Sequence, residues 1–157
     1  MAKNKGFTKI EVLIVVILCF IVIGIDIFVI SYLNSKQQDI QVIAEVSQIR
    51  SGLEVFLLTN NYYPQAPEPV ALNDAYSSTE KLCLEGFKKL TETCQKNILN
   101  PVPNYYLSQG NTYLYKSTDN NKNYQLEFFL KTNFKNQGLA KGKSCATNSQ
   151  ITNQPCF

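Results

Sequence analysis

From Val12 to Ile30 every residue is apolar except Asp26. Nineteen residues rise to roughly 28 Å as an α-helix, close to the ~30 Å hydrocarbon core of a bilayer. β-Branched residues dominate the run, yet an unsatisfied backbone costs so much in lipid that a spanning segment has to be helical. Beyond this run the pattern turns from uniformly apolar to periodic. Val42, Val46, Ile49, Leu53 and Phe56 recur at spacings of four and three, which places them on one face of a helix. Gln41, Glu45, Gln48 and Glu54 occupy the other faces. No proline precedes Pro64, so one helix is predicted from about Thr8 to Asn60, about 80 Å long at 1.5 Å per residue. Asn60-Asn61-Tyr62-Tyr63-Pro64 ends it. Gly52 costs about 1 kcal/mol inside such a helix, and its place there points to close packing. The apolar stripe predicts that the second half of the helix carries a small sheet.

The remainder reads as loop and strand. Residues 64–104 hold Pro64, Pro67, Pro69, Pro101 and Pro103, with a short helix expected from Ser78 to Leu90, interrupted at Gly86. Thr112 to Lys116 and Tyr124 to Leu130 read as strands. Tyr124, Leu126, Phe128 and Leu130 share one face of the second strand, and Tyr113 and Tyr115 share a face of its partner. Asp119-Asn120-Asn121 supplies turn residues between them. After Phe134 the chain is polar and Asn-rich, and its order is expected to depend on a disulfide loop. The fold class is therefore α+β: a long N-terminal helix whose outer half packs on a small antiparallel sheet.

Composition narrows the chemistry. The chain of 157 residues has a net charge of +3, no His and no Trp. Without His, Ser-His-Asp and Cys-His arrangements and His-containing zinc sites are absent. No Gly-rich phosphate loop occurs. Catalysis by this chain is not expected, and the weak positive charge gives no specific sign of nucleic-acid binding. Of five cysteines, Cys19 stands in the apolar run as a small apolar residue. Cys83, Cys94, Cys145 and Cys156 permit three pairings. The pairs 83–94 and 145–156 would each close a short loop, at roughly 3 kcal/mol of stabilisation per bridge in the chain-entropy model. The alternatives are free thiols or a four-cysteine zinc site, for which C-x-x-C spacing is missing.

Charge around the apolar run sets its orientation. Lys3, Lys5 and Lys9 precede it and only Lys36 follows closely, so the positive-inside bias puts the N-terminus in the cytoplasm and the rest outside. A secretory signal peptide would have a shorter apolar core and a small-residue cleavage site, and Val29-Ile30-Ser31-Tyr32 offers none. Within Gly6-Phe7-Thr8-Lys9-Ile10-Glu11, Thr8 and Glu11 fit a capping box, one account of Glu11. Asp26 lies near the outer end, where its carboxylate would snorkel to the interface.

This junction resembles the class III signal of type IV pilins and type II secretion pseudopilins. It combines a basic leader, Gly6, an aromatic Phe7, Glu11 as fifth residue after the glycine, and a long apolar helix. A hydrophobic residue is usual in that family where Lys9 stands, and many members carry a proline in the span that this chain lacks. The stretch from Asp39-Ile40 to Leu53, with Tyr62-Tyr63-Pro64, is similar to the major pseudopilin of type II secretion and to related small bacterial pilins. The resemblance implies a leader, residues 1–6, removed after Gly6 by a prepilin peptidase that also methylates the amine of Phe7. Residues 7–30 would be the transmembrane and assembly half of the helix, and 31–157 an extracytoplasmic head. Glu11 would neutralise the Phe7 amine of a neighbouring copy and so align subunits, because an unpaired charge in apolar surroundings is costly. Implied partners are further copies, minor pilins, a membrane assembly platform and a cytoplasmic ATPase, with lipid before assembly. The implied location is the bacterial cytoplasmic membrane, then an extracytoplasmic filament. No cofactor is expected. In the related major pseudopilin the sheet region holds calcium; Asp119, Asn121 and Asn123 offer oxygen ligands here, but one carboxylate suits a plain turn better. The competing account is a signal-anchored binding protein that never polymerises.

Overall fold

The computed structural model describes residues 9–74, 76–103, 112–134 and 138–157, apart from the side chains of residues 26–28. The leader, Gly6, Phe7, Thr8 and the Asp26 side chain thus lie outside the described residues. The chain is α+β and divides into two units, Met1–Lys36 and Gln37–Phe157. Helix α1 runs Lys9–Asn60 and contributes residues to both.

In the second unit the periodic stripe is the helix's core face. Val42, Val46, Ile49, Leu53 and Phe56 are all buried, in one cluster with Tyr124, Leu126, Phe128 and Leu130. The helix ends where the polar run interrupts its pattern. Asn61 adopts a left-handed φ of 63° and donates its N–H to the Leu57 carbonyl at 2.7 Å, a backbone-satisfying C-terminal cap. Gly52 is packed against Leu99: a Cβ there would lie 2.6 Å from Leu99 Cδ1 and 2.8 Å from Cγ. A side chain at this position would force the buried Leu99 to shift, which offsets the poor helix propensity of the glycine.

Two antiparallel sheets lie in this unit among the described residues. The larger has the order β1 (Val70–Ala71), β5 (Leu114–Thr118), β6 (Asn123–Leu130), β7 (Gly142–Thr147), β8 (Ile151–Thr152). Strand β5 starts two residues later than the sequence predicts, though Tyr113 just ahead of it is buried with Tyr115. Tyr115 pairs with Leu126, and Thr118 with Asn123, so Asp119–Lys122 forms the connection. Asp119, Asn120 and Asn121 all have φ between 52° and 64°. Asp and Asn tolerate this left-handed region better than other non-glycine residues, which explains the composition of the turn.

The smaller sheet corrects one expectation. Ser78 to Leu90 is not a helix: Lys81–Cys83 (β2) and Gly86–Lys88 (β3) form a hairpin, and Asn97–Leu99 (β4) flanks β2 on its other side. Gly86 has φ 122°, a value suited to glycine at the turn. Pairing Leu82 with both Phe87 and Leu99 buries it completely, whereas an isolated helix of this length is marginal in water. The tail after Phe134 is also more regular than its composition suggests. It contributes β7, which pairs with β6 from Gln125↔Thr147 to Leu130↔Gly142, and the short β8.

Candidate functional site

The first unit presents the larger candidate surface. Its apolar side chains from Ile10 to Ile25 are 45 % to 71 % exposed. A continuous apolar surface on this scale marks a site that lipid or another apolar helix covers. Among the described residues, α1 is the one helix long and apolar enough to cross a membrane. Lys9 and Glu11 are exposed, Glu11 in the first helical turn, where a carboxylate complements the helix dipole. Cys19 is a free, exposed thiol.

The second unit is stapled and capped. Cys83 bonds to Cys94 and Cys145 to Cys156, with Cα separations of 5.7 and 5.1 Å. Cys83 Sγ, Cys94 Sγ and a Glu85 carboxylate oxygen lie within 4.8 Å of one another, but sulfurs joined to each other are not thiolate ligands. The first bridge closes a loop that also engages Lys81. This lysine is buried, and its ammonium donates to the Leu90 carbonyl at 3.3 Å and to the Glu92 carbonyl. The second bridge is held by Glu127, a buried residue of β6. Its carboxylate pairs with Lys143 Nζ at 2.8 Å and accepts the Cys156 N–H at 3.0 Å.

Asp119 and Asn121 lie in the turn and Asn123 opens β6, and the side chains of Asp119 and Asn123 engage protein partners. Asn123 Nδ2 donates to Asp119 Oδ2 at 2.6 Å, and Asn123 Oδ1 accepts from Asn148 Nδ2 at 2.8 Å. The Asn121 carbonyl accepts the Tyr63 N–H at 2.8 Å. Calcium takes six to eight oxygens; a single carboxylate, already bonded to the Asn123 amide, does not supply that set with its neighbours. These residues fit a hydrogen-bonded turn and do not fit the ion.

The Tyr62-Tyr63-Pro64 sequence fastens the helix end to this turn. Tyr63 is buried, and its ring meets that of Tyr124 edge-on at 4.8 Å. Its hydroxyl donates to Glu54 Oε1 at 2.9 Å. Burial, with the Glu54 carboxylate second, holds the Tyr63 phenol far above its ordinary pKa. Tyr115, raised by burial, donates to the Pro64 carbonyl at 2.8 Å. Both phenols therefore remain donors throughout the physiological range.

Two polar anchors escape the sequence pattern. Asp39 is fully buried. Its Oδ1 accepts the Lys131 N–H at 2.8 Å, and its Oδ2 accepts the Thr132 N–H and hydroxyl, both at 2.7 Å. Arg50 donates to the Tyr124 hydroxyl at 3.3 Å and to the Asn148 carbonyl at 3.4 Å. Only tertiary structure brings these partners together; the one available hint is a lone carboxylate, Asp39, three residues ahead of the apolar stripe. Comparison of the chain with known protein families, curated proteins and solved structures finds no match.

Proposed function

We propose that the chain is a structural subunit of a type IV pilus-like or type II secretion pseudopilus filament. It is cut after Gly6, methylated on Phe7, and polymerises through the apolar half of α1. The observation that carries this reading is the junction itself. The Gly6-Phe7 pair and Glu11 stand directly ahead of the apolar run of α1, whose apolar side chains from Ile10 to Ile25 are exposed. A membrane anchor needs the apolar run, but not a carboxylate at its start or a glycine–aromatic pair before it.

Before assembly, lipid covers the apolar helix and Glu11 sits at the cytoplasmic edge. In the filament, helices of other copies replace lipid, and the new Phe7 amine of one copy meets Glu11 of another. The amine has an ordinary pKa near 8, so it is largely protonated at neutral pH and its charge opposes that of the carboxylate. The disulfide-bonded head travels outside as a preformed body.

Glu11→Ala separates this role from local helix capping. The variant is expected to insert in the membrane and keep a folded head, while sheared filament yield falls at least tenfold because the amine of a neighbour loses its counter-charge. Filament yield equal to wild type would defeat the role assigned to Glu11.

A further inference from the structure

The apolar run ends at Ile30, but helix α1 continues, and the first unit extends to Lys36. In this last stretch Tyr32 and Leu33 are exposed. Tyr32 and Lys36 stand four residues apart and so share one face of the helix. The Lys36 ammonium lies 5.8 Å from the centre of the Tyr32 ring, a distance that suits a cation–π contact. The ring answers the charge but not the hydrogen bonds. An ammonium has three N–H donors, and among the described residues no oxygen accepts one from Lys36.

Level along the helix axis decides what the ammonium meets. Tyr32 lies about 3 Å beyond Ile30, and the Lys36 backbone about 9 Å beyond it. The polar layers of a bilayer add about 5–8 Å on each side of the hydrocarbon. Side chains lean towards the N-terminus of a helix, here towards the apolar run, and Lys36 does so in reaching the Tyr32 ring. Its charge therefore returns to the depth of the lipid phosphates. The phenol stands at the headgroup boundary, where tyrosines collect. Lys9 matches this at the other end. Twenty-seven positions separate the two lysines, about 40 Å along the helix, against roughly 40–45 Å for a bilayer with its polar layers.

We propose that Tyr32 and Lys36 form a binding site for the phosphodiester of an anionic phospholipid in the outer leaflet. Lys36 donates to the phosphate, and the Tyr32 ring holds the ammonium at that depth. Together with Lys9 in the opposite headgroup layer, this contact fixes the depth of the unassembled chain. Charge complementarity selects lipid over another helix as the occupant of this face. A parallel copy in register would bring a second Lys36, and a displaced copy would bring its apolar run; neither answers an ammonium. Phosphatidylglycerol suits the site better than phosphatidylethanolamine, whose own ammonium neutralises its phosphate. The proposal rests on the membrane-spanning reading and is independent of polymerisation.

A single labelled ammonium tests the contact. The full chain carrying Cys19→Ser and Lys36→Cys keeps its head disulfides oxidised and has one free thiol. Alkylation of that thiol with nitrogen-15 bromoethylamine restores a lysine-like side chain at position 36. The protein is placed in vesicles of phosphatidylethanolamine and phosphatidylglycerol in phosphate-free buffer, and insertion is checked by resistance to alkaline extraction. Solid-state NMR then reads dipolar dephasing of the nitrogen by phosphorus-31. Strong dephasing is expected, placing phosphorus within about 5 Å of the nitrogen. Adding Tyr32→Ala is expected to lower the dephasing at least by half, because the ammonium loses the ring that holds it at phosphate depth. Inserted protein without dephasing, whether its ammonium faces water or another copy, would overturn the site. Dephasing unchanged by Tyr32→Ala would remove Tyr32 from it. Protein that alkaline extraction releases would defeat the membrane-spanning reading, and the site with it.

Discussion

Asp39→Ala is expected to lower the stability of the head by about 3–5 kcal/mol. The carboxylate is fully buried and accepts three hydrogen bonds at 2.7–2.8 Å from Lys131 and Thr132, just beyond the end of β6. Alanine leaves two backbone N–H groups and a hydroxyl facing a space without an acceptor. Each buried donor left unpaired costs about 1–3 kcal/mol. For a head of this size the loss corresponds to a fall in Tm of roughly 10–20 °C. Thermal unfolding of the full chain in detergent, followed by near-ultraviolet circular dichroism of the tyrosines, reads the effect. Asp39→Asn should fall between wild type and alanine, because one amide oxygen can still accept. A fall of less than about 1 kcal/mol for alanine would mean that these bonds do not hold the strand end to the helix.

Phe56→Ala is expected to cost about 3–5 kcal/mol by the same measurement. The side chain is 1 % exposed at the end of the core stripe, and its ring meets Tyr62 edge-on at 5.8 Å. Truncation removes the transfer energy of the ring and leaves a cavity between helix and sheets that a close-packed core fills only in part. Phe56→Leu retains most of the volume and should lose no more than about 1.5 kcal/mol. If alanine cost as little as leucine, this turn of the helix would be a surface rather than the core. On the proposed reading, neither variant should change cleavage at Gly6 or insertion of the apolar run, because both changes lie in the other unit.

The two substitutions mark the boundary of what the sequence discloses. Phe56 is legible because a helix that buries one face must repeat apolar residues every three or four positions, and the alternation Tyr124, Leu126, Phe128, Leu130 is legible for the corresponding reason in a strand. The Asn60–Pro64 stop and the Asp119–Asn121 turn are equally local, since each is written in residues that cap or reverse the backbone. Asp39 is not local: its partners lie more than ninety positions away, and no spacing rule connects them. The β2–β3 hairpin was hidden because Lys81–Lys88 mixes apolar and charged residues without alternation, and its stability comes from Leu99 and the bridge to Cys94. Strand β7 was hidden because Gly142 to Thr147 is mostly small or polar; Ser144 and Ala146 are buried where β6 pairs beside them, with β8 on the far side of Ala146. At the apolar run of α1 the relation is reversed: the run is plain in the sequence, while the fold of this chain leaves its side chains exposed.

The central claim is that Gly6–Phe7 is a processing junction, and intact N-terminal mass spectrometry of the membrane-extracted protein tests it most directly. The protein is prepared from cells with and without a prepilin peptidase. The account predicts loss of Met1 to Gly6 and one methyl group on Phe7 only where the peptidase is present. An unprocessed N-terminus in both preparations would contradict it and leave a signal-anchored extracytoplasmic protein that does not polymerise.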